Sequence, residues 1–205
     1  VKRFIEAVTA LRTAGVNPGI VHAANSAAAI RYPDVQFDMV RLGISLYGFH
    51  PCQQTRTMID LRPAMSVHAR ITDARLVPMS EGVSYGMNYR SPGSVKICTV
   101  PIGYADGLSR QLSGRVSFLL RGRQVPVVGR ICMDMCMVDV TDVPEARVGD
   151  PVTVLGTGED GAPSACGLAS QLGTIPYEIL CSISKRIPRI YLDGKKRTEI
   201  LQYIV

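Results

Sequence analysis

The chain has 205 residues, 46% of them hydrophobic, and a net charge of +6. That suffices for a substantial core in one large or two smaller domains, and no apolar run approaches the about 20 residues a membrane span needs. A signal-peptide pattern is absent, and the basic cluster "KRIPRIYLDGKKR" reads as a solvated edge with no nucleic-acid role.

In "VKRFIEAVTALRTA", Phe4, Ile5, Val8 and Leu11 fall at helical spacing, and Gly15 with the "NPG" turn stops that helix. "IVH" is then a short buried strand, "NSAAAIRYP" a helix ending before Pro33, "FDMVRLG" a second strand and "ISLYGF" the start of another helical segment. This alternation is the rhythm of a parallel β/α array. From Ala64 the chain reads as repeated strands: "MSVHARITDARLVP", "SVKICTVPIG", "RVSFLLRG", "RQVPVVG", "MCMVDVTDV" and "DPVTVLG". Turns rich in Gly and Pro separate them, so this part is expected to be an antiparallel β domain, a barrel or a sandwich. Helices are expected over "SACGLASQLG" and "YEILCSISKR", and a last strand near "RIYLD". The boundary is placed near residue 57, dividing residues 1–56 from 57–205. Two strands cannot close a parallel barrel, and open strand edges invite aggregation. The chain is therefore expected to be part of something larger.

Cys52, Cys98, Cys132, Cys136, Cys166 and Cys181 match no zinc spacing, and several sit inside apolar runs, as expected of a reduced cytosolic protein without a metal. "GTGEDG" (156–161) has the form of a dinucleotide-binding loop. Its Glu159 and Asp160 would repel a pyrophosphate, and Glu178 falls in a helix instead of at a strand end, so it reads as an ordinary acidic loop.

The β/α junctions carry more chemistry. His22 ends a strand, and Asn25 or Ser26 is placed to cap the next helix. Arg41 closes the second strand, and Gly43 lets backbone approach a ligand. Polar residues at adjacent strand ends, each before a helix N-terminus, suit a phosphate at the top of a β/α barrel. Either His22 or Arg41 alone reads as structural; together with Ser26 and Gly43 they favour a binding site. In "GVSYGMNYR", Tyr85 stands between small neighbours, either packing its ring or trading a proton.

"HAANSAA", "VRLGISLYG", "GVSYG", "PIGYADGLSR", "VVGRICMDMCMVDV" and "TIPYEI" together resemble the alanine racemases, fold type III enzymes that use pyridoxal phosphate. The resemblance runs from about residue 18 to residue 192. It implies the last β/α units of a TIM-type barrel followed by a mainly antiparallel β domain, the C-terminal portion of such an enzyme. It further implies that Ser26, Gly43, Ile44 and Tyr177 contact the cofactor phosphate, with His22 and Asn25 supporting them. Arg41 would face the pyridine nitrogen, where a permanent positive charge disfavours ring protonation and leaves a weaker electron sink.

Tyr85 would be the second catalytic base, opposite a lysine on the other face of the α-carbon. The family's tyrosine reaches the active site of the other subunit, which implies a homodimer. Positive charge relayed from Arg41 through a histidine outside these residues would help the phenol ionise. Met133 would offer its backbone N–H to the substrate carboxylate, beside Asp134. Tyr104, Arg110, Arg130 and Ile175 would line an access corridor, narrow enough at Tyr104 and Tyr177 to select a side chain as small as that of alanine. None of the five lysines, Lys2, Lys96, Lys185, Lys195 and Lys196, stands in the glycine-flanked strand context of the family's cofactor lysine. The chain alone is therefore expected to be inactive. A serine or broad-specificity amino-acid racemase, and a non-catalytic dimerisation or binding module, are the alternative readings.

Overall fold

The spaced apolar residues of the first segment wind into helix α1 (Lys2–Thr13), whose Phe4 ring lies 5.3 Å from that of Phe37. The structure, a computed structural model, describes residues 1–194 and 196–202, so Lys195 lies outside the described residues. Two compact units are present, Val1–Met65 and Ser66–Val205.

In the first unit, β1 (His22–Asn25) runs into α2 (Ser26–Arg31), and β2 (Met39–Arg41) pairs with β1 in parallel. The first strand begins later than "IVH" suggests. Val21 instead donates its N–H to the Asp38 carboxylate (2.9 Å) and accepts the Asp38 N–H (3.0 Å). The helical segment expected at "ISLYGF" is a single 3₁₀ turn, Ile44–Tyr47. Gly48 ends it with φ 79°, in the left-handed region, and any Cβ there would lie 1.7 Å from the Arg62 carbonyl oxygen. The chain has to turn at this point.

The second unit contains β3 (Val67–Arg70), β4 (Asp73–Val77), β5 (Gly82–Val83), β6 (Tyr89–Arg90), β7 (Val95–Val100), β8 (Ser117–Leu120), β9 (Arg123–Val128), β10 (Cys136–Asp139) and β11 (Pro151–Leu155). Seven of these form one antiparallel sheet in the order β3-β11-β8-β9-β10-β7-β4, while β5 and β6 form a small hairpin. The stretch 65–78, read as one strand, breaks at Ile71–Thr72. Ile71 donates to the Asp150 carbonyl beside β11, and Thr72 to the Thr99 carbonyl of β7, both at 3.0 Å. Two neighbouring residues thus join the two edges, and the sheet rolls upon itself. Its strands alternate: Phe118 and Leu120 of β8, Val138 of β10 and Val152 of β11 are fully buried. Each such side chain contributes about 1.5–3 kcal/mol.

Helix α3 (Ala165–Leu172) starts where the Ser164 hydroxyl accepts the Gly167 N–H (3.1 Å), and α4 (Pro176–Ser182) starts on a proline. A second hairpin, β12 (Arg189–Asp193) with β13 (Lys196–Leu201), follows. Only its first strand is anticipated by the sequence pattern.

Candidate active site

In the first unit the ends of β1 and β2 lie in register, Asn25 opposite Arg41. The Asn25 side chain caps α2 by accepting the Ala28 N–H (3.0 Å). Buried Ser26 crosses to the second junction and accepts the Gly43 N–H (2.8 Å), which leaves the hydroxyl proton available to another acceptor. The Ile44 N–H has no partner among the described residues. Arg41 directs one guanidinium nitrogen to His22 Nδ1 (2.6 Å) and another to the Ala23 carbonyl (3.3 Å). Arginine carries donors only, so Nδ1 is the acceptor and His22 is the neutral, Nε2-protonated tautomer in this arrangement. His22, Asn25, Ser26, Arg41, Gly43 and Ile44 are thus together at two adjacent strand ends.

In the second unit, Tyr85 tops the β5–β6 hairpin with 73% of its surface exposed. The backbone beneath it is unusual. Ser84 has φ 68° and ψ 177°, Gly86 φ 74° and Met87 φ 48°. For a serine the first is a region nearly reserved for glycine and costs about 1–3 kcal/mol. The Ser84 hydroxyl donates to the Arg130 carbonyl at 2.7 Å. Gly129 permits that approach, because a Cβ there would lie 2.7 Å from the Ser84 Cβ. The Asn88 amide, turned to satisfy both its ends, donates to the Gly86 carbonyl (2.9 Å) and accepts from Nε and an Nη of Arg130 (3.1 Å each). Directly below the turn the Tyr89 hydroxyl donates to Asp139 (3.1 Å); burial, and then that carboxylate, push its pKa up.

Met133 and Asp134 occupy an exposed turn closed by the Cys132 N–H on the Met135 carbonyl (2.9 Å). The Tyr104 loop docks on this turn: Tyr104 N–H donates to the Cys132 carbonyl (3.0 Å) and Ala105 N–H to that of Met133 (2.9 Å). Gly103 allows the contact, since a Cβ would meet the Cys132 carbonyl oxygen at 2.3 Å. The Met133 N–H has no partner among the described residues. Ser113 links the Arg110 turn to the same region, donating to the Arg110 carbonyl (2.6 Å) and accepting the Ile131 N–H (2.9 Å). Tyr104 and α4 residues Glu178 and Ile179 line a cavity of about 400 Å³. Ile175, at the N-cap of α4, and Tyr177, on its first turn, are exposed and outside that lining. The sequence reading did not single out Ser84, Asn88 or Gly129; a serine and a glycine before Tyr85 and Arg130 were the available signals.

Cys136, Cys98 and Lys96 are engaged or inert. Burial pushes the Cys136 thiol up to about 12 and that of Cys98 up as well, so neither is a ready nucleophile or metal ligand. No group of three or more potential metal-ligating residues occurs among the described residues. The amine of Lys96 donates to the carbonyls of Pro144 (2.6 Å) and Ala146 (2.7 Å). No helix among the described residues is long and apolar enough to cross a membrane.

Comparison with known proteins gives one consistent answer. The alanine racemase N-terminal domain family matches residues 1–51, and the alanine racemase C-terminal domain family matches residues 64–191. The chain belongs to the alanine racemase family. It is 48% identical to the alanine racemase of Desulfovibrio desulfuricans over 93% of its own length and 51% of that protein's. The solved alanine racemase of Bacillus anthracis with bound L-Ala-P superposes with a TM-score of 0.88 at 40% identity, over 98% of this chain and 52% of that one. The Clostridium difficile alanine racemase in complex with cycloserine superposes with the same TM-score at 41% identity, over 96% and 52% of the respective chains. The chain thus spans about half the length of these relatives, and a short α/β piece followed by a mainly antiparallel β domain is the fold it shares with them.

Proposed function

We propose that this chain carries the phosphate-binding strand ends and one acid/base group of a pyridoxal-phosphate-dependent racemase that interconverts L- and D-alanine, the latter for peptidoglycan. The observation that carries the reading is the Tyr85 turn. A phenol is presented 73% exposed from a strained backbone that is fastened to its neighbours by hydrogen bonds.

The donors at the strand ends suit the cofactor. The Ser26 hydroxyl proton and the Ile44 N–H are open to an anionic phosphate, and Tyr177 and Gly43 complete the set that the family resemblance assigns. Arg41, oriented by His22, suits an unprotonated ring nitrogen, to which it can only donate. When bound, the cofactor supplies delocalisation of the charge left on the substrate α-carbon. Tyr85 delivers or removes the proton on one face of that carbon. The Met133 N–H, beside Asp134, holds the substrate carboxylate, while Tyr104, Arg110, Arg130 and Ile175 restrict access. As the family resemblance implies, the exposed Tyr85 serves a site completed by another subunit of a homodimer. The lysine for the opposite face is not among residues 1–205, so these residues alone do not racemise alanine.

The test is Tyr85→Phe in a full-length racemase that carries this sequence. Single-turnover α-proton exchange in deuterated water is followed from each enantiomer. Loss should be much greater from one enantiomer, the L form, than from the other. Equal loss from both would make Tyr85 a packing residue.

A further inference from the structure

The turn that presents Tyr85 adopts a conformation that neither its sequence nor the core explains. Three of the four residues Ser84–Met87 have positive φ, and two of those three are not glycine. The strands on either side are two residues long, and their core contacts, Val83 and Tyr89, form the pair directly below the turn. None of Tyr85, Gly86 and Met87 is buried. Packing therefore does not impose the shape. Within the turn the Met87 N–H donates to the Ser84 carbonyl (3.1 Å) and the Met87 side chain lies against Gly82; outside it, a pair of polar attachments ties it to one residue, Arg130. Ser84 is tied to its carbonyl and Asn88 to its guanidinium, while the Asn88 amide also closes on the Gly86 carbonyl. A Cβ on Gly86 would lie 3.4 Å from the guanidinium carbon, so the tip of the turn rests on that group.

We propose that Ser84 and Asn88 are positioning residues, a two-point clamp onto Arg130 that fixes where the Tyr85 phenol points. The inference rests on the reading of Tyr85 as an acid/base group. The two points do different work. Ser84 holds the backbone just before Tyr85 in a region that is unfavourable without its hydrogen bond. Asn88 couples the tip to the Arg130 side chain, so Arg130 acts on the turn as well as on access to it. A phenol that must meet an α-carbon with hydrogen-bond accuracy gains from such fixing, because small misplacements slow proton transfer steeply.

The test uses the 15N-labelled 205-residue chain as wild type, Ser84→Ala, Ser84→Gly and Asn88→Ala. Three quantities are read: the HN–Hα coupling of residue 84, the amide shifts of residues 85–87, and the urea midpoint. In Ser84→Ala the coupling leaves its positive-φ value and the amides of 85–87 move, while those of Phe118 and Val138 stay. Ser84→Gly, which tolerates the same φ, moves them less. Asn88→Ala moves Gly86 and Met87 and speeds exchange of the Arg130 Nε–H. Should Ser84→Ala fail to fold, the other two variants carry the test. In a full-length racemase with this sequence, Ser84→Ala lowers kcat about tenfold or more with KM within about twofold. Unchanged coupling and shifts in all three variants would overturn the clamp. Undiminished turnover of L-alanine by Tyr85→Phe would instead overturn the acid/base reading beneath it.

Discussion

Asp150 shows how single residues set the frame on which the candidate site stands. Arg121 occupies a two-residue turn between β8 and β9 with φ 50°, followed by Gly122 at φ 76°, the pattern of a type I′ hairpin turn. The unfavourable arginine conformation is held by a bidentate pair: Nε donates to one Asp150 oxygen at 2.7 Å and an Nη to the other at 2.8 Å. The Arg147 N–H adds a third bond at 3.0 Å, and the Asp150 carbonyl accepts from Ile71 where the sheet edges meet. The Arg121 guanidinium, then the Arg147 N–H, hold the Asp150 carboxyl below the usual carboxylate range. A depressed carboxyl contributes stability above its unfolded pKa, about 3.9, and loses it as pH falls toward the folded value. Asp150→Asn should therefore lower the urea midpoint at pH 7. The gap from wild type should narrow as pH falls below about 4, because protonation then removes what the substitution removes. A gap unchanged by acid would show that the carboxylate charge is unimportant.

At the scale of elements, stability resides in the rolled seven-stranded sheet, where Phe118 of β8 is fully buried. Phe118→Ala should cost about 3–5 kcal/mol in urea unfolding, and a loss below about 1 kcal/mol would mean that this core collapses around the gap. The sheet was readable from the sequence because burial on one face leaves a period of two, as in "SFLL" and "CMVD". The break at Ile71–Thr72 was not readable, since it depends on bonds to Asp150 and Thr99. The β5–β6 hairpin also escaped notice. Two-residue strands carry no period, and Ser84 gets its conformation from a carbonyl 46 residues away. The last strand, β13, reads as charged surface because nearly all of it is exposed. At the two β/α junctions, by contrast, the placement of Ser26, Arg41 and Gly43 was legible, since helix starts and strand ends leave local marks in sequence.

For the whole molecule, the proposed division of labour gives residues 1–205 Tyr85 and the phosphate-binding strand ends, and assigns none of their lysines to the cofactor. Three of the four described lysines support this. Lys2 stands on α1 beside Glu6, Lys96 is tied to two carbonyls of the β domain, and Lys196 is exposed on β13. A cofactor-binding amine has to be desolvated beside the phosphate donors, where burial favours its neutral, nucleophilic form. The most direct measurement is borohydride reduction of the 205-residue chain with pyridoxal phosphate, followed by peptide mapping and an assay for D-alanine. Scattered, substoichiometric labelling and no D-alanine are expected. One lysine labelled stoichiometrically, together with D-alanine formed from L-alanine, would contradict it.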